Sequence, residues 1–306
     1  MGRIAIITDD PGWHGSQLRQ AFASRGYSSE YTSLTQCRLN IMAQDLPVMM
    51  PGFETQLPDA VFVRGVPGGS LEEVIFYLDV LHALKIVGVP VYNDGRMIER
   101  SVDKAMTSLL LKKHNIPTPS TWIIRDRDQA LDIAENELRA KHRFVTKPLF
   151  GSQGEGLRRF EKMTDLFWLA SHHGIYYLQR FIEQQPEGFS DWRVFVINGQ
   201  AIAAMQRQGK TWLNNVSRGA RCVASPISDP LRQLAEKSTQ ALAMDYAGVD
   251  IIRDQKGHYW VIEINSIPAW KGLQSVTTIN LAQQLVDDFT DRYLHPNSQK
   301  SSSACL

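Results

Sequence analysis

GVDIIRDQKGHYWVIEINSIPAWKG, residues 248–272, carries the acidic pattern that decides the fold. Two apolar runs flank the turn signal D-Q-K-G at 254–257, which predicts a β-hairpin. Glu263 and Asn265 lie two positions apart on the second strand, so their side chains share one face of it. Asp250 lies on the partner strand, and a register close to the turn-centred one brings it diagonally near Glu263.

The hairpin predicts a metal site. Two carboxylates and an amide oxygen that converge are hard-oxygen ligands suited to Mg²⁺ or Mn²⁺, so Asp250, Glu263 and Asn265 are the candidate ligands. For the pattern taken alone, polar positions on the solvent face of a hairpin are an equally open interpretation. The apolar W-V-I at 260–262 indicates a core strand, however, and an acidic pair there needs a counter-charge.

A second motif, TKPLFGSQGEG at 146–156, places a lysine ahead of three glycines. It fits neither the phosphate loop, in which the lysine follows the last glycine, nor the dinucleotide pattern G-x-G-x-x-G. The motif is therefore either a phosphate-binding flap of another kind or a flexible hairpin. Lys147 ends the preceding strand, and Lys104 lies near the start of a helix. Together with a metal site, these lysines suggest a bound polyphosphate.

The bulk composition narrows the class of protein. The chain has 306 residues, of which 43% are hydrophobic and 21% charged, as in ordinary globular proteins. A net charge of +1 argues against broad capture of nucleic acid or of an anionic membrane. The three cysteines are scattered and form no C-x-x-C pair, which suits a reducing cytosol. With neither a signal peptide nor a membrane-length apolar run, we expect a cytoplasmic protein.

Strands and helices alternate over the first hundred residues, which predicts an α/β unit with a parallel sheet. In its second helix, at 70–88, the residues at helical spacing are Leu71, Val74, Ile75, Leu78 and Leu81.

A second segment begins near Glu99, with Ser101 as the expected N-cap of a helix. From about Ile175 the chain is strand-rich, with one helix opened by Asp229 and Pro230. We therefore predict folded segments 1–98, 99–175 and 176–295, followed by a disordered tail, 296–306.

In order and spacing, the motifs resemble the ATP-grasp carboxylate–amine ligases, and specifically the RimK-like α-L-glutamate ligases. The resemblance runs from about residue 60 to residue 275. The motifs that carry it are the run from Asn93 to Lys104, I-P-T-P-S-T at 116–121, V-T-K-P-L-F-G-S-Q-G-E-G at 145–156, Q-R-F-I at 179–182, the hairpin run 191–207, and G-V-D-I and E-I-N-S-I-P in the last hairpin.

The resemblance implies a fold, cofactors and site residues. The fold is α/β, with α+β character in the C-terminal part: an ATP-grasp fold behind an N-terminal parallel-sheet domain. The cofactors are ATP and Mg²⁺ or Mn²⁺, with two ions. The metal ligands are Asp250, Glu263 and Asn265, and the catalytic arginines are Arg64, Arg207 and Arg218. The residues implied to contact ATP are Lys104, Lys147, Gly151, Ser152, Gln153, Gly154, Gln179, Arg180, Phe181, Ile182, Asp191 and Asn215.

The resemblance also implies a reaction. An acceptor carboxylate is phosphorylated to an acyl phosphate and attacked by the amine of an amino acid, glutamate, with release of ADP and phosphate. The expected partners are a small-molecule or peptide carboxylate and the amino acid, without nucleic acid or membrane, and homo-oligomerisation is left open. Two alternatives also stay open: a kinase built on the same fold, and a non-catalytic ATP-binding regulator. Lys271 departs from the family pattern and, with Arg64, suggests an acceptor rich in carboxylates.

Overall fold

The computed structural model describes residues 2–43, 46–151, 154–185, 188–214 and 219–295. By its internal contacts the chain forms two compact units. The first comprises Met1–Ile98, Met244–Tyr246 and Ser266–Leu306, and the second comprises Glu99–Ala243 and Ala247–Asn265. The division of the later chain at residue 175 stays a prediction. Every helix in the described ranges is too short or too polar to span a lipid bilayer.

Strands and helices alternate in the first third of the chain, and strands dominate after it. In chain order, the elements are β1 (Arg3–Ile7), α1 (Gly12–Ser24), β2 (Ser28–Thr32), β3 (Arg38–Leu39), β4 (Val48–Met49), β5 (Ala60–Val63), α2 (Leu71–Ile86), β6 (Val91–Tyr92), α3 (Gly95–Val102), α4 (Lys104–Lys113), β7 (Thr121–Ile124), α5 (Arg127–Arg139), β8 (Phe144–Thr146), β9 (Arg158–Phe160), β10 (Tyr176–Arg180), β11 (Phe189–Ile197), β12 (Gln200–Gly209), β13 (Arg221–Ala224), α6 (Asp229–Ala241), β14 (Tyr246–Arg253), β15 (Tyr259–Asn265), α7 (Lys271–Gln274) and α8 (Leu281–Tyr293). Short 3₁₀ helices lie at Leu34–Gln36 and Met163–Trp168.

The first unit is built on a parallel sheet in the order β2-β1-β5-β6. Strands β1 and β5 are continuous apolar runs that are almost wholly buried, as expected where both faces of a parallel sheet are covered. The predicted parallel-sheet α/β segment is confirmed.

Within this unit, the side chain of Asn93 is buried and holds distant backbone together. It donates to the carbonyls of Tyr246 and Ser266 and accepts from the N–H groups of Asp245 and Tyr246.

Three details of the predicted helices differ from the structure. In α2 the buried side chains are Tyr77, Val80, Leu81 and Leu84, whereas Leu71 is 71% exposed, because this helix is apolar on more than one side and spacing alone does not choose the face. Ser101 lies inside α3, and the side chain of Asp103 caps α4 instead. Helix α8 was not predicted, although Leu281, Leu285 and Phe289 have helical spacing and are buried.

The second unit contains two sheets. One has the order β7-β10-β8-β9 with antiparallel pairs, and the other has the order β13-β12-β11-β14-β15. The predicted hairpin is the pair β14–β15, turning at Asp254–Gly257. Asp250 lies directly opposite Glu263 rather than diagonal to it, because the register shifts between Asp250 and Ile251. Such a bulge re-aims the side chains beside it.

Candidate functional site

A cavity of about 170 Å³ lies within the second unit. The residues that line it come from the range 101–264. Both sheets of the unit and the start of α4 contribute to the wall. The structure brings together here most of the residues singled out from the sequence. The predicted residues that line the cavity are Lys104, Lys147, Gly151, Gly154, Gln179, Arg180, Phe181, Ile182, Asp191, Arg207, Asp250 and Glu263.

Two lysines give the cavity its positive charge. Burial lowers the pKa of Lys147 to about 8, against the attraction of Glu263, with Lys104 lowering it further. Burial also lowers the pKa of Lys104. The ammonium group of Lys104 donates to the carbonyls of Leu149 and Gly151, at the start of the glycine run, at 3.3 and 2.8 Å. An anionic group in the cavity would stabilise both lysines in the charged form.

Glu263 and Asn265 offer ligand atoms that the described protein leaves unused. Glu263 makes no hydrogen bond or ion pair with another described residue, and Nδ2 of Asn265 is buried without a hydrogen-bond partner there. Nδ2 is a hydrogen-bond donor, so its buried orphan position calls for an acceptor atom, such as a phosphate oxygen, as partner. Nowhere in the described ranges do three His, Cys, Asp or Glu side chains form a metal cluster.

Asp250 is held by two arginines. Its Oδ1 accepts from Nε of Arg193 at 2.7 Å, and its Oδ2 accepts from Nη2 of Arg193 at 2.6 Å and from Nη2 of Arg207 at 3.0 Å. Although burial disfavours its charged form, these guanidinium groups hold the pKa of Asp250 below its usual value. A carboxylate has about four lone-pair sites, so Oδ1 keeps one for a metal while the arginines stay in place.

Arg207 is shared between two buried carboxylates. Its Nε donates to Oδ1 of Asp191 at 2.5 Å, and the side chains of both residues are less than 10% exposed. Burial raises the pKa of Asp191 to about 6, against the attraction of Arg207. Asp191 and Arg207 thus both line the cavity, and their charged groups form an ion pair with each other. Their geometry supports a positioning role for Arg207 and leaves few of its donors for a substrate.

The segment Gln179–Ile182 ends β10 and forms another wall. The side-chain amide of Gln179 donates to Thr121 and Tyr177, and the guanidinium of Arg180 makes a two-point ion pair with Glu137. The amide NH2 group of Gln179 and the guanidinium group of Arg180 are therefore already engaged within the protein. The backbone N–H of Ile182 donates to no described residue, because the chain leaves the sheet there. An unpaired backbone N–H beside apolar walls is suited to one edge of a purine ring.

An aromatic cluster at the cavity was not predicted from the sequence. The rings of Phe181 and Trp212 meet edge to face at 5.8 Å, and both residues line the cavity. The guanidinium of Arg159 lies 5.1 Å from the Phe181 ring and 5.8 Å from the Trp212 ring. Trp212 belongs to the connection after β12, far along the chain from β9 and β10. No local pattern could have shown that these three side chains meet.

Six predicted site residues do not line the described cavity, and one of them, Asn265, follows the lining residues Glu263 and Ile264 at the end of β15. Ser152, Gln153, Asn215 and Arg218 lie outside the described residues. Arg64 is described and belongs to the first unit, at the end of β5.

Comparison with family models covers almost the whole chain. Residues 2–98 match the RimK PreATP-grasp domain, and residues 101–289 match the RimK-like ATP-grasp domain. A tetrahydromethanopterin:alpha-L-glutamate ligase of Methanocaldococcus jannaschii is 34% identical over 237 residues, which is 75% of this chain and 78% of that protein. The alpha-aminoadipate–LysW ligase LysX of Saccharolobus solfataricus is 30% identical over 210 residues, 66% of this chain and 74% of that protein.

Among solved structures, the ATP-grasp ligase PsnB complexed with minimal precursor, Mg and ADP is similar in fold. The TM-score is 0.70 at 18% sequence identity, and the match covers 95% of this chain and 98% of that one. At this identity the likeness concerns the fold alone.

Proposed function

This chain belongs to the RimK-like ATP-grasp family, and from that premise we propose that it joins the amine of glutamate to the carboxylate of an acceptor. It is an ATP-dependent carboxylate–amine ligase, like the relatives that it matches over most of their length. Glutamate is the amino acid in the names of several relatives. The direct products of the proposed reaction are the amide-linked product, ADP and phosphate.

One observation carries the proposal. In the cavity of the second unit, Lys104 and Lys147 lie within electrostatic reach of the unpaired carboxylate of Glu263, and the orphan amide of Asn265 follows on the same strand. Lysines whose charge is disfavoured by burial and the orphan donor Nδ2 of Asn265 fit a polyphosphate, and the unpaired carboxylate of Glu263 fits Mg²⁺. The residues present therefore fit ATP with Mg²⁺.

The roles that we assign follow from these positions. Bound ATP with its metal supplies the phosphoryl group that turns the acceptor carboxylate into an acyl phosphate, and it neutralises the charge that builds up during transfer. Lys104 and Lys147 hold phosphate oxygens. Glu263, Asn265 and Asp250 would hold the metal, which would bind through oxygen atoms. We place the purine at Ile182, beside Phe181.

Arg207 positions Asp250 and Asp191 in this scheme. Its two ion pairs fix the side chains that line the cavity wall, so that the metal ligand Asp250 is oriented before nucleotide arrives. Arg218 stays our candidate for stabilising the oxyanion formed when the amine attacks.

The class of the acceptor is a further part of the proposal. The two relatives compared with this chain are named for tetrahydromethanopterin and for LysW. We propose a small-molecule carboxylate for this chain, because its net charge of +1 offers no general attraction to a charged macromolecule.

The test uses the purified full-length chain with ATP, Mg²⁺, glutamate and a deproteinised metabolite extract. Mass spectrometry should find a metabolite heavier by a glutamyl residue, and ADP and free phosphate should form in equal amounts. A kinase would form ADP and a phosphorylated metabolite without free phosphate. Nucleotide binding without any ADP formation would contradict ligase chemistry and favour a regulator.

A matched pair of variants ties the activity to the cavity. Glu263→Gln keeps the shape of the side chain and removes its charge, so kcat should fall at least about 100-fold. Glu135→Gln removes an exposed carboxylate from α5 and should leave kcat unchanged. Binding of Mn²⁺ to the protein, followed by electron paramagnetic resonance, should weaken in Glu263→Gln alone. Wild-type turnover in that variant would refute the metal assignment.

A further inference from the structure

Strand β9 carries two neighbouring arginines, Arg158 and Arg159, whose side chains lie on opposite faces of its sheet. Arg159 pairs across the sheet with Val145 of β8, and Val145 in turn pairs with Gln179 of β10. Val145 and Gln179 both line the cavity of the second unit. Because directly paired residues share a face, Arg159 lies on the cavity face of this sheet, whereas Arg158 lies on the other face.

The guanidinium group of Arg159 contacts two aromatic rings of the cavity wall. Its Cζ lies 5.1 Å from the centroid of the Phe181 ring and 5.8 Å from that of the Trp212 ring, distances at which cation–π attraction acts. Both aromatic residues line the cavity, and Arg159 is not among the described residues that do. The side chain of Arg159 is 24% exposed and also forms an ion pair with Glu161. Its contact with a ligand in the cavity is therefore indirect, through the two rings.

Trp212 depends on distant residues for its orientation, because it lies in the connection between β12 and β13 and not in a helix or strand. A side chain on such a connection is ordered by the contacts that select one of its rotamers. The described ring contacts of Trp212 are an edge-to-face contact with Phe181, at an interplanar angle of 84°, and the cation–π contact with Arg159. The planar guanidinium group thus joins the two rings of the wall.

We propose that Arg159 is a positioning residue for the purine of ATP. It keeps the rings of Phe181 and Trp212 in place before the nucleotide arrives, so that binding does not have to order these side chains. The inference rests on the proposed function only in that the cavity binds ATP, and it holds for any amino acid or acceptor. The purine takes no part in phosphoryl transfer, so its contacts stay the same during the reaction. Loss of Arg159 should therefore raise the KM for ATP and leave kcat almost unchanged.

The binding test uses the full-length chain, Mg²⁺ and ADP, because ADP binding requires neither the acceptor nor the amine. Arg159→Met removes the guanidinium group and keeps much of the side-chain volume, so isothermal titration should show a Kd for ADP about fivefold higher than in the wild type. The matched control is Arg158→Met, which removes the guanidinium group on the opposite face of β9, beside Phe160 and Trp168. Its Kd for ADP should stay within about twofold of the wild-type value.

Two further variants separate the cation–π contacts from the ion pair. Glu161→Gln removes the ion-pair partner of Arg159 and keeps the guanidinium group beside both rings, so the Kd for ADP should stay within about twofold of the wild-type value. Arg159→Lys keeps a positive charge but loses the planar group that joins the two rings, so its Kd should lie between those of the wild type and Arg159→Met. A loss in Glu161→Gln as large as that in Arg159→Met would assign the effect to the ion pair and overturn the proposal.

A double variant tests whether Arg159 acts through Trp212. Trp212→Ala removes one ring of the wall, so replacing Arg159 with methionine in that background should raise the Kd for ADP by less than about twofold. Two independent residues would instead multiply their effects. A further rise of about fivefold in the double variant would therefore show that Arg159 does not act through Trp212, which contradicts the proposal.

Steady-state kinetics give a second readout, which a purely structural role would not produce. With glutamyl transfer as the assay, Arg159→Met should raise the KM for ATP about fivefold and keep kcat within about twofold of the wild type. A fall in kcat at unchanged KM would refute the positioning role.

The two proposals fail separately. If glutamyl transfer occurs and Arg159→Met binds ADP as tightly as the wild type does, the positioning role is wrong and the function stands. If ADP binding requires Arg159 but no glutamyl product forms, the positioning role stands and the function is wrong. Equal weakening of ADP binding in Arg158→Met and Arg159→Met would also refute the role, because Arg158 lies on the other face of the sheet.

Discussion

Replacing Arg207 with methionine should destabilise the second unit by about 3–5 kcal/mol, because it leaves the buried carboxylate of Asp191 without its ion-pair partner. Arg207 donates to Asp191 at 2.5 Å and contacts Asp250 at 3.0 Å, and the three side chains are 6%, 8% and 4% exposed. Asp250 keeps its two bonds from Arg193 in the variant. Asp191 keeps none of its ion pairs, so the cost comes mainly from that residue.

A double variant isolates this cause. Asp191→Asn combined with Arg207→Met replaces the charged pair with a neutral amide and a thioether, neither of which needs a counter-charge. Breaking a buried pair costs far more than replacing it, so the double variant should recover about 2 kcal/mol or more of the loss. The stem of methionine also fills much of the space left by arginine.

The assay is urea unfolding at constant pH, followed by circular dichroism and tryptophan fluorescence, with the free energy taken from midpoint and slope. Because the chain has two units, the curves are fitted with a separate transition for each. The matched control is Arg232→Met, which removes an exposed i,i+4 pair with Glu236 on α6. Its effect should stay within about 0.5 kcal/mol.

The reasoning fails on either of two results. One is a loss of less than about 1 kcal/mol in Arg207→Met, which would mean that Asp191 is solvated or already protonated. The other is a double variant no more stable than the single one, which would show that the loss comes from packing and not from charge.

Three further predictions concern other parts of the molecule. Burial, Arg64 and Lys271 lower the pKa of His14 to about 4, so the unfolded chain takes up a proton at a higher pH than the folded chain does. As pH falls from 6.5 to 4, the free energy of unfolding of the wild type should therefore drop by about 2 kcal/mol more than that of His14→Gln. Urea midpoints measured across this pH range test the prediction, and equal losses in the two proteins would contradict it. Asn93→Leu leaves buried backbone groups unpaired, and calorimetry should show a loss of about 3 kcal/mol or more. Trp212→Ala should raise the Kd for ATP about tenfold, whereas the exposed Trp168→Ala should not; equal values would remove Trp212 from the nucleotide site.

Local sequence determined the elements and the order of the site motifs. Alternating apolar residues and turn signals were enough to predict the β14–β15 hairpin, and continuous apolar runs were enough to predict the parallel strands β1 and β5. Lys104, Lys147 and Glu263 could be grouped before the structure because their motifs follow one another as in the family. These signals depend on neighbours a few residues apart, which any single sequence displays.

Tertiary structure decided which charges meet and which do not. Arg193 and Asp250 are 57 residues apart, and only the neighbouring positions of β11 and β14 in one sheet make them a two-point ion pair. Arg159 and Trp212 come together in the same way, and their contact could not be read from the sequence neighbours of either residue. The physical reason is that burial and charge pairing depend on groups distant along the chain, whereas helix and strand signals are local.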